Sequence, residues 1–181
     1  MIKFNYTTGF VLQNEKPINK FIGFVSSKEG VTISKLLYNF VSKTKITEIN
    51  KTHLSHNHST DVITFDYSDS NKIVAEAFLC PEEILLNAES FSQSLEDEVV
   101  RVVVHALLHL CGYDDKTKAG SAEMRTKEDL LKQLILESYM ELVLRDYHSK
   151  LIKIQERQKY LLKDILKNTN QLKIIFKIQL I

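Results

Sequence analysis

With 181 residues, 44% hydrophobic and 26% charged, the chain can bury a core and is neither disordered nor membrane-like. It holds no apolar run of the roughly 18 residues a membrane helix needs, residues 1–5 lack a signal-peptide hydrophobic region, and two cysteines, Cys80 and Cys111, exclude a disulfide framework and fit a reducing cytoplasm. The net charge of +1 divides unevenly: residues 1–129 carry 14 Lys/Arg against 18 Asp/Glu (−4) and residues 130–181 carry 10 against 5 (+5), so a polyanion is drawn to the tail or to local patches.

Residues 2–6 alternate enough for a short opening strand. A helix is predicted over about residues 16–27, with Phe21, Ile22 and Val25 on one side and Gly30 ending it. Residues 31–41 read as a strand, followed by a short helix near residues 44–50 with Ile46 and Ile49 inward. Residues 53–60 are polar and turn-like, 61–66 form a strand by their β-branched content, 69–72 a turn and 72–80 the next strand. Pro81-Glu82-Glu83 opens a helix running to about residue 90, because proline suits the first turn and the acids suit its positive end. Ser94 caps the next helix, with Glu96, Asp97 and Glu98 in its first turn. Val99, Val100, Val102, Val103, Val104, Leu107 and Leu108 make that helix apolar nearly all round, which places it in the centre of the fold.

No Gly or Pro follows Gly120, so a helix from about residue 121 can continue to about residue 167. Leu136, Met140, Val143, Leu144, Tyr147, Leu151, Ile154, Leu161, Leu162 and Ile165 give it an apolar stripe, while residues 171–181 are ambiguous between strand and helix. Strands and helices mix without regular βαβ alternation. The expected fold is α+β: a small mixed sheet packed against helices, a buried central helix, and a C-terminal helical extension.

The chemistry concentrates in His105-Ala106-Leu107-Leu108-His109-Leu110-Cys111-Gly112-Tyr113-Asp114-Asp115. Histidines at i and i+4 share a helix face and can reach one ion. Gly112 can turn the chain back at the helix end and bring a carboxylate to the same ion. Two imidazoles and a carboxylate with a fourth position open make a catalytic zinc site, and burying the imidazoles without a partner would be costly. Zinc proteases of the H-E-x-x-H type use the glutamate as general base. That position is Ala106 here, which disfavours a peptidase.

The string closely resembles the H-G-x-L-H-L-x-G-Y-D-H signature of the YbeY family, bacterial endoribonucleases also called rRNA maturation factors. Asn50 followed by Ser59-Thr60-Asp61-Val62-Ile63-Thr64-Phe65 resembles that family's N…(P/S)TDVLSF segment, and Met124-Arg125-Thr126-Lys127-Glu128-Asp129 resembles its closing helix. The resemblance covers residues 1–135 and leaves 136–181 as a basic helical extension of unknown role. It implies that His105 and His109 are the first two metal ligands. The family's third ligand, a histidine two residues after the tyrosine, is Asp115 here, and Asp114 is the runner-up ligand. A carboxylate can replace imidazole on zinc, but its charge weakens the ion as a Lewis acid.

Two further positions depart from the family. Its glycine after the first histidine is Ala106, and its functional arginine, four residues after the asparagine, is Leu54. Lys51, Arg101, Lys116 and Lys118 are the cations left for phosphate contact, although each reads first as ordinary surface. His53, His56 and His58 read as a solvated loop rather than a second metal site, with His53 or His58 near substrate under the resemblance. Phe65 reads as core and Tyr67 as able to stack on a base; Cys111 reads as small packing and Tyr113 as packing that fixes the turn.

The resemblance, added to the metal-ligand spacing, implies a zinc-dependent single-strand endoribonuclease of ribosomal RNA maturation, expected in the cytoplasm. One Zn2+ on His105, His109 and Asp115 would polarise the phosphate or activate water. The implied partners are single-stranded ribosomal RNA and ribosomal particles, with neither membrane nor DNA. Two other classes stay open: a ribosome-associated factor whose metal is structural, and a metal hydrolase with another substrate.

Overall fold

The structure is a computed structural model that describes residues 1–13, 15–69 and 71–178. The elements run β1 (Ile2–Tyr6), α1 (Glu15–Lys28), β2 (Thr32–Phe40), α2 (Lys43–Leu54), β3 (Val62–Asp66), β4 (Lys72–Leu79), α3 (Pro81–Ser90), α4 (Leu95–Leu110) and α5 (Lys118–Ile178). The four strands form one mixed sheet in the order β1-β2-β4-β3: β1 and β4 both run parallel to β2, and β3 runs antiparallel to β4. The α+β expectation is met.

The sheet's period-2 pattern selects its buried face. Leu36, Tyr38 and Phe40 of β2 and Ile73, Ala75, Ala77 and Leu79 of β4 are all buried, while the residues between them are partly or fully exposed. α4 is the buried helix. Val99, Val102, Val103, Val104, Ala106, Leu107 and Leu108 are inaccessible or nearly so, each valine or leucine chain worth about 1.5–3 kcal/mol of burial. Tyr38, deep in the sheet, donates its hydroxyl to the Val103 carbonyl at 3.2 Å and ties sheet to helix. Under α2 lies a second cluster of Val41, Ile46, Ile49, Ile63 and Cys80, with Phe65 and Phe78 packed against it. Ile46 and Ile49 point inward as expected, and Phe65 joins the core as a partly buried ring.

Helix ends follow local chemistry. Ser94 Oγ accepts the Asp97 N–H at 3.1 Å, and Pro81 opens α3. α2 is longer than the sequence pattern predicts, because Ser42 caps it from further upstream and Ser55, left-handed at φ 59°, closes it. α5 likewise begins earlier than residue 121, since Thr117 Oγ1 accepts the Gly120 N–H at 3.0 Å. α4 ends in a full Schellman motif: Gly112 N–H bonds to the His109 carbonyl at 3.0 Å and Tyr113 N–H to that of Leu108 at 3.1 Å. Gly112 carries φ +96°, which side chains rarely adopt.

The chain divides into two compact units, Met1–Gln133 and Leu134–Ile181. In the second, the helix expected to end near residue 167 continues to Ile178, which settles residues 171–178 as helical. Residues 179–181, and Ser70 of the expected 69–72 turn, lie outside the described residues. Tyr147, Leu151, Ile154, Leu161, Leu162 and Ile165 of the predicted stripe are solvent-exposed. No helix among the described residues is long and apolar enough to cross a membrane.

Candidate metal centre

The last two turns of α4 and the turn after the helix converge on one point. His105 and His109 present their Nε2 atoms to each other at 3.0 Å, with the two rings nearly perpendicular at 85°. Asp115 brings Oδ2 to 3.8 Å from His105 Nε2 and Oδ1 to 4.0 Å from His109 Nε2. Among the described residues these three form the group of His, Cys, Asp and Glu able to hold one ion, with one donor atom from each mutually within 4.8 Å.

The outer nitrogens decide what the inner ones are. His105 Nδ1–H donates to Glu128 Oε1 at 2.6 Å, and His109 Nδ1–H donates to the Tyr113 carbonyl at 2.9 Å. A neutral imidazole has one N–H, so with both protons on Nδ1 both Nε2 atoms carry bare lone pairs. Two such lone pairs 3.0 Å apart repel unless a cation sits between them. Two nitrogens bound tetrahedrally to one zinc at about 2.0–2.1 Å would stand roughly 3.4 Å apart, close to the observed spacing. The Asp115 oxygens are too far for hydrogen bonds to these nitrogens, yet at a span an ion bridges. The donor set fits a divalent metal.

Why Asp115 and not Asp114 faces the pair is a matter of the turn. Asp114 Oδ1 accepts the Lys116 N–H at 3.3 Å, which folds its carboxylate back on its own backbone. α5 packs closely here: a methyl on Gly120 would collide with the Asp114 carbonyl oxygen, and only a glycine lets the two segments approach. Tyr113 braces the same turn. Its hydroxyl donates to Glu29 Oε2 at 2.8 Å, and Lys127 lies over its ring at 5.1 Å while pairing with Glu29 at 3.0 Å. The packing role expected of Tyr113 is thus joined by a polar one.

Behind the histidines lies a charge cluster of which sequence spacing reveals only the Glu98–Arg101 pair, three residues apart on α4. Arg101 holds Glu98, which is 2% exposed, through three contacts of 2.7–3.0 Å. It also reaches Glu128 Oε1 and Asp61 Oδ2, both at 3.4 Å. Burial opposes the guanidinium charge, but the Glu98 bond and the charges of Glu128, Glu98 and Asp61 outweigh it and raise the pKa. Glu128 is therefore shared between Arg101 and His105. Sequence reasoning gave it no role; the only signal was its place in the segment 124–129.

An open cleft of about 510 Å³ contains the site, lined by Asn50, His56, His58, Thr60, Asp61, Thr64, Asp66, Asp114 and Lys116 besides the three donors. Of the cations considered for phosphate contact, Lys116 lines the cleft, Arg101 is committed to carboxylates, and Lys51 and Lys118 are not among the lining residues. His53 sits edge-on to Phe65 at 5.1 Å instead of in the cleft, and Tyr67, 58% exposed, is also outside it. Cys111 is half-buried, and burial pushes its thiol up to about 11, so it stays protonated near neutrality.

Comparison with known proteins agrees with the geometry. Residues 7–135 match the family model described as endoribonuclease YbeY. The chain is 39% identical over 129 residues to endoribonuclease YbeY of Flavobacterium johnsoniae, covering 71% of this chain and 93% of that protein. It is 37% identical over 140 residues to the Karelsulcia muelleri protein of the same name, covering 77% and 99%. A solution structure of a Thermotoga maritima protein superposes with a TM-score of 0.53 at 26% identity, covering 78% of this chain and 93% of that one. With a family model matching residues 7–135 and relatives 37–39% identical over nearly their whole length, the chain belongs to the YbeY endoribonuclease family.

Proposed function

We propose that the chain is a zinc-dependent endoribonuclease that cuts single-stranded ribosomal RNA during its maturation in the cytoplasm. The observation that carries this reading is the pair of bare Nε2 lone pairs 3.0 Å apart, with Asp115 closing the third side. His105, His109 and Asp115 hold one Zn2+, and a zinc so held supplies Lewis acidity toward a phosphoryl oxygen and toward water. The chain's own residues do the positioning. Glu128 fixes the His105 tautomer and ring plane, the Tyr113 carbonyl fixes those of His109, and the open cleft admits a single strand. The catalytic unit is residues 1–135, and residues 136–181 are a basic helical appendage. Removing the chain after Leu136 leaves folding and metal content intact under this reading.

The test is metal analysis of the wild type beside Asp115→Ala, Asp114→Ala and His109→Ala, with cleavage of unstructured RNA by the same preparations. One zinc per chain in the wild type and in Asp114→Ala, with loss of metal and cleavage in the other two, is the expected result. Equal, tight stoichiometry in Asp115→Ala removes Asp115 from the site, and cleavage that survives chelation overturns the mechanism. One observation favours a second reading, a ribosome-associated factor with a structural metal: among the described residues, no arginine lines the cleft. Co-sedimentation of a cleavage-silent variant with ribosomal particles would support that alternative.

A further inference from the structure

The cleft has another polar wall, built from the loop between α2 and β3. Asn50, 2% exposed, organises it. Its Nδ2 donates to the His58 carbonyl at 2.8 Å and approaches His58 Nδ1 at 3.3 Å, while its own carbonyl receives the backbone N–H groups of Ser55 and His56. An amide N–H directed at Nδ1 makes that nitrogen an acceptor, so the imidazole proton of His58 resides on Nε2. His58 thus offers the cleft a donor of fixed identity. His56 rests against it, with ring centroids 5.3 Å apart and planes tilted by 49°.

The charge of the cleft shows why such donors matter. Its lining contains four aspartates, 61, 66, 114 and 115, against the single Lys116, a sum of −3 with neutral histidines. Arg101, which reaches the lining residue Asp61, already serves three carboxylates. The Asn50 amide is spent on His58. Apart from His105 and His109, the side-chain nitrogen donors left among the described lining residues are those of His56, His58 and Lys116. An RNA backbone entering here brings one negative charge per nucleotide and needs N–H groups to receive it.

We propose that His56 and His58, held by Asn50, form a phosphate-binding arm that grips the RNA backbone beside the ion site. This rests on the endoribonuclease reading and adds to it a second substrate contact. Base stacking is the less suitable role, because two rings tilted at 5.3 Å leave no slot for a base between them.

The test uses full-length, zinc-loaded protein and fluorescence anisotropy with two probes that cannot be cut: a 2′-O-methyl oligouridylate and an abasic backbone of the same length. The double variant His56→Ala/His58→Ala should bind both probes about tenfold more weakly or worse, with zinc stoichiometry and melting temperature at wild-type levels. His58→Gln, whose amide nitrogen can stand near the imidazole Nε2, should stay within about threefold of wild type. Wild-type affinity of the double variant for both probes overturns the arm while leaving the endoribonuclease reading standing. Weakening on the oligouridylate alone also overturns it, because the histidines would then be reading bases. A wild type that binds neither probe overturns the arm and the endoribonuclease reading together.

Discussion

Glu128 accepts the Nδ1 proton of His105 at 2.6 Å across the contact between α5 and α4, and the same Glu128 oxygen lies 3.4 Å from Arg101. A carboxylate on the outer nitrogen of a metal-binding imidazole fixes the tautomer and raises the basicity of the inner nitrogen. Glu128→Gln keeps the shape and removes the charge. It should weaken zinc binding about 10- to 100-fold in a competitive chelator titration. Unchanged affinity would mean that the carboxylate serves only Arg101.

Arg101→Ala has a different consequence. It strands Glu98, which is 2% exposed, as a buried charge without its main partner. Breaking such a pair from one side costs about 3–5 kcal/mol, and the 30% exposure of Arg101 places this case near the lower end. Urea denaturation should show the midpoint falling with its slope preserved. Loss of RNA binding with stability intact would instead make Arg101 a substrate contact.

Gly120→Ala probes the turn that carries Asp115. The new methyl meets the Asp114 carbonyl oxygen and approaches Thr117 Oγ1 at 3.2 Å, so either the turn or the start of α5 must shift. Overpacking of this kind costs about 1–3 kcal/mol. Because a backbone carbonyl cannot swing aside as a side chain can, zinc affinity should drop along with the melting temperature. A variant that binds zinc like the wild type would place the Asp114–Asp115 turn under looser control than the geometry indicates.

Cys80 is fully buried, and burial, reinforced by its bond to Glu82, pushes its thiol from 9.0 to about 11. A raised thiol pKa means that the folded state holds the proton more tightly than the unfolded chain does. The associated stability is complete below pH 9.0 and is lost as the pH rises through about 11. Iodoacetamide should modify folded Cys80 at least about tenfold more slowly than a free thiol at pH 8. Comparable rates, read by mass spectrometry, would contradict the burial.

The sequence showed what is local and missed what is made by contact. His105 and His109 are legible because helical periodicity alone puts them on one face, and Ser94 and Pro81 announce their helices by chemistry within one turn. α2 was read short because its cap, Ser42, lies ahead of the apolar pattern, and its left-handed end falls on Ser55, where a glycine would have been the clearer signal. Glu128 stands 23 residues beyond His105, and only packing of α5 brings it there. Arg101 reads as a free cation in the sequence because Asp61 and Glu128 reach it only through folding, from the loop before β3 and from α5.

A cleft whose lining side chains sum to −3 repels a phosphodiester chain at long range. A divalent ion held by His105, His109 and Asp115 would bring +2 and leave a sum of −1, so the order of arrival would matter: cation first, RNA second. Stripping the metal then slows the encounter with RNA as well as the chemistry. Raising the salt should help the stripped protein's association most and the loaded one's only slightly, where a basic RNA-binding surface would lose affinity.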